Sequence, residues 1–402
     1  MKPMRRCAAC VTAVITTMVM TGAVSGQEKS AEYCPAGFVS LMSYGAKGDG
    51  VTDDTMAFKW AVQSGKGVFV PAGEFLISET ISMDSRVVVG AGEGKRIITF
   101  TGEDPRKPII LAGSYTSLRD LTIRFADGLV TGEEQLGDRT AILTGASWGM
   151  QRGASLRRVT LENVGTGVYS ANEKDAIVKE SGAHEGGAFS VTFEDLTIRD
   201  FSYRGFCFTG DVRTGNVFRN LYFTSRFDAD SAVYLHGEES ETVLDGLIVE
   251  NVRAARPVYM FGMRALKAGN ISLYNIESTV EGNALIAFED VNGPIDSLII
   301  RNCRASDMLI HAGRGDYEYG NGVGSDASWL DIDTLLLDTV TAGSIQDSAF
   351  SFIGRKENDK GQYHMEIGRY LYASKNGDAA AYKKLSCSGK GLTVTVKEAA
   401  EL

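Results

Sequence analysis

Residues 44–58 read Tyr-Gly-Ala-Lys-Gly-Asp-Gly-Val-Thr-Asp-Asp-Thr-Met-Ala-Phe, and this stretch decides the fold. Gly45, Gly48 and Gly50 make a turn, and Thr52-Asp53-Asp54-Thr55 then offers several side chains able to cap a helix. An apolar pattern with helical spacing follows at Met56, Phe58, Trp60, Ala61 and Val62. After Gly65-Lys66-Gly67 the period changes from helix to strand: Val68-Phe69-Val70 and Phe75-Leu76-Ile77 flank Pro71-Ala72-Gly73. Asp53 and Asp54 are read as caps and not as a paired-carboxylate site, because a helix N-terminus favours anions.

Outward from there, from residue 117 on, the chain repeats a two-strand unit. The first strand reads Leu121-Thr-Ile123, Val159-Thr-Leu161, Leu196-Thr-Ile198, Leu221-Tyr-Phe223, Leu247-Ile-Val249, Ile271-Ser-Leu273, Leu298-Ile-Ile300 and Leu335-Leu-Leu337. The shortest intervals are about 25 residues, and a unit of that size cannot bury its apolar face alone, whereas stacked copies can. A short polar residue follows most first strands: Asn163, Asp200, Ser225, Asn251, Asn275 and Asn302. Stacked rung over rung, these predict a structural ladder of turn residues. The second strand recurs as Phe206–Thr209, Val233–His236, Val258–Phe261, Leu285–Phe288, Leu309–Ala312 and Phe350–Ile353. Alternation places Phe206/Phe208, Val233/Leu235, Val258/Met260 and Leu285/Ala287 inward, with His311 as an inward core residue.

The passage 43–77 resembles the N-terminal signature of the pectate-lyase-like right-handed parallel β-helix superfamily. The resemblance implies an all-β fold: a single right-handed parallel β-helix, or solenoid, with an N-terminal capping helix. For activity it implies a range, since lyases, hydrolases, epimerases and phage tailspikes share this cap. The Asn-Thr-Asp, Gly-His-Gly and Arg-Ile-Lys motifs of polygalacturonase-like hydrolases are missing from the repeat region, as is the Asp-Pro-His of alginate-epimerase-like members. No calcium-binding Gly-Gly-x-Gly-x-Asp repeat occurs either. A lyase of this kind would nevertheless take Ca2+ as its cofactor; nothing else in the chain calls for a metal.

Residues 1–26 read as a secretory signal, with Lys2, Arg5 and Arg6 ahead of the apolar stretch 8–19 and small residues at Val24-Ser25-Gly26. The expected divisions are 1–26 signal, 27–37 lead-in, 38–355 β-helix and 356–402 a C-terminal cap or tail folding back along the coils. The expected location is secreted or periplasmic, with no membrane insertion after signal removal. The formal net charge of −10 argues against a nucleic-acid partner, whose phosphates demand a basic surface. Cys34, Cys207, Cys303 and Cys387 follow no metal spacing. Cys207 and Cys303 fall four rungs apart and are not expected to bridge.

The outward positions of the second strand stack into a strip. They are Cys207, Thr209 and Asp211; then Tyr234, His236 and Glu238; then Tyr259, Phe261 and Met263; then Ile286, Phe288 and Asp290. Aromatic faces suit sugar rings, and a His flanked by two acids suits acid–base chemistry. Arg204 and Arg256 take equivalent places at one edge, Ser231 between them, and two guanidiniums suit uronate carboxylates. The expected catalytic set is His236, Tyr234, Glu238 and Asp211, with Arg204, Arg256, Tyr259 and Phe261 binding substrate. Hence the expectation is an exported carbohydrate-active protein acting on a polysaccharide, uronate-containing in the lyase reading, by β-elimination or glycoside hydrolysis. The alternative is a non-catalytic, glycan-binding or structural β-helix at the cell surface; an oligomer is compatible with either. Two insertions, 172–188 (with His184 as a further candidate) and 314–328, are expected to bracket the strip.

Overall fold

The computed structural model describes residues 34–402 except 93–95, 146–150, 172–176, 178, 180–186, 238–240, 264, 282, 290, 306–307, 314–326, 343–349, 352–361, 374–386 and 389–391. The signal and most of the lead-in, nearly all of both insertions, His184, Glu238 and Asp290 therefore lie outside the described residues, as do the side chains of Asp211 and Cys387.

The described residues form a right-handed parallel β-helix in which most strands pair in parallel with the coil before and the coil after. The first-strand column holds in register at every rung anticipated from the repeat. Leu121 pairs with Val159, then Leu196, Leu221, Leu247, Ile271, Leu298 and Leu335 follow in turn. Branched and aliphatic side chains at these sites fill the lumen, joined in the middle rungs by phenylalanines. Phe206 lies 4.7 Å from Phe208, 5.3 Å from Phe218 and 5.7 Å from Phe193 between ring centroids. Each fully buried ring contributes roughly 2–3 kcal/mol through its area removed from water.

Long strands such as Thr192–Val212 turn the corners of the coil without leaving the ladder. They bend at single left-handed residues, Asp195 (φ 54°) and Asp200 (φ 52°), whose short polar side chains tolerate that region. Asn163, Asn251, Asn275 and Asn302 take the same conformation at the corner foreseen from the sequence. Asn275 Nδ2 donates to Asn251 Oδ1 (3.1 Å) and Asn302 Nδ2 to Asn275 Oδ1 (2.6 Å), so this part of the ladder is hydrogen-bonded.

At the N-terminal end the helix Thr55–Gln63 covers the first coil with Ala57, Phe58, Ala61 and Val62. Met56 and Trp60, expected on that apolar face, stand half exposed instead. The two aspartates divide the labour. Asp53 Oδ1 accepts from the Thr55 amide (2.9 Å) and hydroxyl (2.5 Å) and so caps the helix. Asp54 accepts from the Lys47 (2.7 Å) and Gly48 (2.9 Å) amides and holds the glycine turn closed.

Three expectations need correction. The described strands beyond 355 continue the repeat instead of folding back along the coils. Gln362–Ala373 pairs in parallel with Ala327–Asp338, and Leu392–Glu401 pairs with Gln362–Ala373, adding two rungs. The sixth rung is shifted by one residue: Val258 pairs with Ile286, Tyr259 with Ala287 and Phe261 with Glu289. Ile286 and Phe288 thus face the core, while Ala287 and Glu289 take the outward columns. Because a one-residue slip exchanges faces, His311, which pairs with Ala287, is also outward. Met263 lies in the core and not on the strip.

Candidate active site

The outward column of the second strand runs Leu111, Leu143, Tyr169, Cys207, Tyr234, Tyr259, Ala287, His311. Two residues further along the strand a parallel column holds His236, Phe261 and Glu289. Rungs stack about 4.8 Å apart, so neighbouring rings meet face to face. Tyr234 stacks on Tyr259 of the next rung (centroids 5.0 Å, 22° between planes) and His236 lies 4.9 Å from Phe261, while Tyr259 and Phe261, two residues apart on one strand, stand side by side with nearly parallel planes (6.2 Å, 13°).

The two arginines, alike in sequence register, differ in their surroundings. Arg204 is 12% exposed, and its Nε lies 2.6 Å from Asp230 Oδ2. Its Nη1 donates to Cys207 Sγ (3.3 Å), and the guanidinium sits 4.0 Å from the centre of the Tyr234 ring. Burial works against that charge, but Cys207 and Asp230 outweigh it and hold Arg204 protonated more firmly than usual. Arg256 stands 4.7 Å from the centre of the Tyr259 ring and, among the described residues, pairs with no carboxylate.

Tyr259 is nearly buried, at 6% exposed, so it is not the open sugar platform expected of it. Its hydroxyl donates to Glu289 Oε2 (3.0 Å), and His311 Nε2 lies 3.9 Å from Glu289 Oε1. Burial first, and then the Glu289 carboxylate, push the Tyr259 phenol up. Burial likewise pushes the Tyr234 phenol up, against Arg204, which pulls it down. Both hydroxyls therefore stay protonated at neutral pH. The His236 ring is half-buried with Nδ1 3.3 Å from the Thr209 carbonyl. In the tautomer that donates from Nδ1 to this carbonyl, the ring's lone pair is on Nε2.

The structure thus brings together six of the eight residues expected from the sequence: Tyr234, His236, Arg204, Arg256, Tyr259 and Phe261. The backbone of Asp211 belongs to the same strand as Cys207, at an irregularity between Phe208 and Val212. Glu289, His311 and Asp230 were not anticipated there. Glu289 and His311 were hidden by the sixth-rung slip; Asp230, next to Ser231, was hidden because it precedes the strand. Among the described residues no three acidic, imidazole or thiol side chains converge as metal ligands. The acids Asp230 and Glu289 are already engaged by Arg204 and Tyr259, so these residues do not fit a Ca2+ site.

A family profile described as rhamnogalacturonase A/epimerase, pectate lyase-like, matches residues 38–255, more than half of the chain. The chain belongs to that family. The chain is similar to the pre-neck appendage protein of Bacillus phage B103, 34% identical over 110 residues, covering 27% of this chain and 13% of the relative. It is also similar to alginate lyase 7 of Azotobacter vinelandii, 28% identical over 170 residues, covering 37% and 20%. These matches span no more than a fifth of either relative. Among solved structures, the Agl-KA catalytic domain superposes with a TM-score of 0.52 at 14% identity, covering 90% of this chain and 69% of that one. At that identity the likeness concerns the fold. Among the described residues no helix is long and apolar enough to cross a membrane.

Proposed function

We propose that this member of the family is an exported protein that binds a uronate-containing polysaccharide along the Tyr234–Phe261 strip and cleaves it by β-elimination. The observation that carries this reading is Arg256, a half-buried cation beside two stacked tyrosines with no carboxylate partner among the described residues. A uronate carboxylate supplies the missing anion, and neutralising it acidifies the adjacent C5 proton. Nε2 of His236 takes that proton, the electron pair forms the C4=C5 double bond, and the C4–O glycosidic bond breaks. The Tyr234 hydroxyl, kept protonated by burial, gives its proton to the departing oxygen. Arg204, tied to Asp230, holds the Tyr234 ring in place.

Among the described residues the strip favours elimination over hydrolysis, because hydrolysis needs two available carboxyl groups and the two acids described there, Asp230 and Glu289, are both engaged. A second reading, glycan binding without turnover, is favoured by the appendage proteins among the relatives. Incubating the purified protein with galacturonate and with mannuronate/guluronate polymers separates these cases. Ultraviolet absorbance of unsaturated ends rising together with reducing sugar supports elimination. Reducing sugar alone indicates hydrolysis, and binding with neither signal indicates the second reading.

A further inference from the structure

Asn251, Asn275 and Asn302 stand exposed on successive rungs, at the corner that follows the first strand. Each is joined to the next by one amide hydrogen bond, which uses only part of what a carboxamide can donate and accept. Among the described residues Asn251 Nδ2 and Asn302 Oδ1 have no partner, so this ladder ends on a donor at one side and an acceptor at the other. Two hollows of about 440 and 350 Å³ flank it, and Asn275 and Asn302 line both. Volumes of that size are typical of sites for small ligands. On one side of the ladder Asp228, Arg253, Glu277 and Arg304 alternate in sign from rung to rung. Arg253 pairs with Asp228 (3.5 Å) and with Glu277 (3.1 Å), whereas Arg304, followed by Thr341, has no carboxylate partner among the described residues. On the other side Tyr274 lies between Glu250 and Arg301, and Arg301 pairs with Asp338 (2.9 Å). Tyr274 is half-exposed, and among the described residues its hydroxyl has no partner. With Arg226 added, four arginines face four carboxylates across the two hollows, so the lining has no net charge.

We infer that this corner is a glycan site of its own, separate from the strip on the second strand, and that it takes a neutral oligosaccharide through its hydroxyl groups. A sugar hydroxyl both donates and accepts, and the lining offers both kinds of group in close alternation. It lacks the excess of positive charge that a polyanion needs. The half-exposed Tyr274 supplies a ring face for a pyranose to lie on. Its hydroxyl, the Arg304 guanidinium and the Asn302 carbonyl are the groups left over once the lining has made its own pairs. From Asn251 to Asn302 is two rung spacings, roughly 10 Å, which is the length of a disaccharide. A site here holds the protein on a neutral polymer while leaving the strip open, and it stands whether or not the strip takes uronate.

Calorimetric titration of the intact protein with short cello-, xylo- and laminari-oligosaccharides tests this, with a short oligogalacturonate for comparison. At least one neutral oligosaccharide should bind, with an affinity that salt changes little, because the ligand carries no charge to screen. Tyr274→Ala should weaken that binding about tenfold and Arg304→Ala severalfold, while Arg256→Ala leaves it unchanged. Both replaced side chains reach solvent, and circular dichroism checks each fold; should one variant fail to fold, the other decides. Absence of binding to every neutral oligosaccharide overturns the inference. So does binding that Arg256→Ala or Tyr234→Ala abolishes and Tyr274→Ala leaves intact, which assigns it to the strip. Oligogalacturonate binding that falls with Arg304→Ala and survives Arg256→Ala overturns both this inference and the uronate reading of the strip.

Discussion

Replacing Arg256 and Arg204 one at a time by Ala should separate two residues that are interchangeable in the sequence. Among the described residues Arg256 contributes a cation–π contact to Tyr259 and no ion pair, so its loss should cost the fold no more than about 1 kcal/mol. For substrate it is the anion partner. A charge-assisted hydrogen bond is worth about 1.5–3 kcal/mol, so affinity for a uronate oligomer should fall roughly ten- to a hundredfold. Arg204 should behave in the opposite way. Its removal leaves Asp230 unpaired and empties the space over the Tyr234 ring, at a cost of about 2–4 kcal/mol in stability. Thermal unfolding followed by circular dichroism gives the first quantity, and calorimetric titration with a defined oligouronate gives the second. Equal unfolding shifts for both variants, with Arg256→Ala binding as tightly as the parent, would refute the assignment.

Asp53, Glu74 and Glu134 all have carboxyls held below their ordinary range. For Asp53 and Glu134, burial pushes the other way but hydrogen bonds from Ser78 and Ser202 prevail; for Glu74 the Thr99 hydroxyl leads. Their stabilisation is complete above the unfolded values near pH 4 and is lost as pH falls through the lower folded values, so melting temperature should drop there and Asp53→Asn should flatten the drop. Of Cys34, Cys207 and Cys303, only partly exposed Cys34 should react readily with a thiol reagent in the native protein; burial seals Cys207 and holds Cys303 up to about 11, and fast labelling of Cys303 would contradict the register. Truncation after residue 355 should leave the Ala327–Asp338 strand without its next rung, giving concentration-dependent aggregation on sedimentation, whereas a well-behaved monomer would show those rungs to be dispensable.

The first-strand column was legible because it obeys a strong rule: one face buried in every coil, with Leu, Ile or Val at the same phase. Leu196, Leu221, Leu247 and Ile271 therefore announced the register that the structure has. The second strand followed the same rule as far as Met260. It failed at Ala284–Glu289, where Ala, Leu, Ile, Ala and Phe run together and every residue is buried. An unbroken apolar run carries no phase, so nothing in it showed where the strand resumes after Ser278: Ala254 and Val258 stand four apart, whereas their partners Ser278 and Ile286 stand eight apart. That single slip turned His311 inward on paper and concealed Glu289.

By itself, then, the sequence determined the solenoid, its helical cap, the ladder of asparagines and the columns that carry Tyr234, His236 and Phe261. Those are local or periodic properties, set by side-chain alternation and by turn residues repeated at each coil. Only the tertiary structure decided which of two equivalent arginines is neutralised, because Asp230 reaches Arg204 and no described carboxylate reaches Arg256. It alone also decided that Leu136 and Ile177 gather with Cys207 outside the coil, since they come from segments far apart in the chain and their packing depends on distances that no repeat encodes.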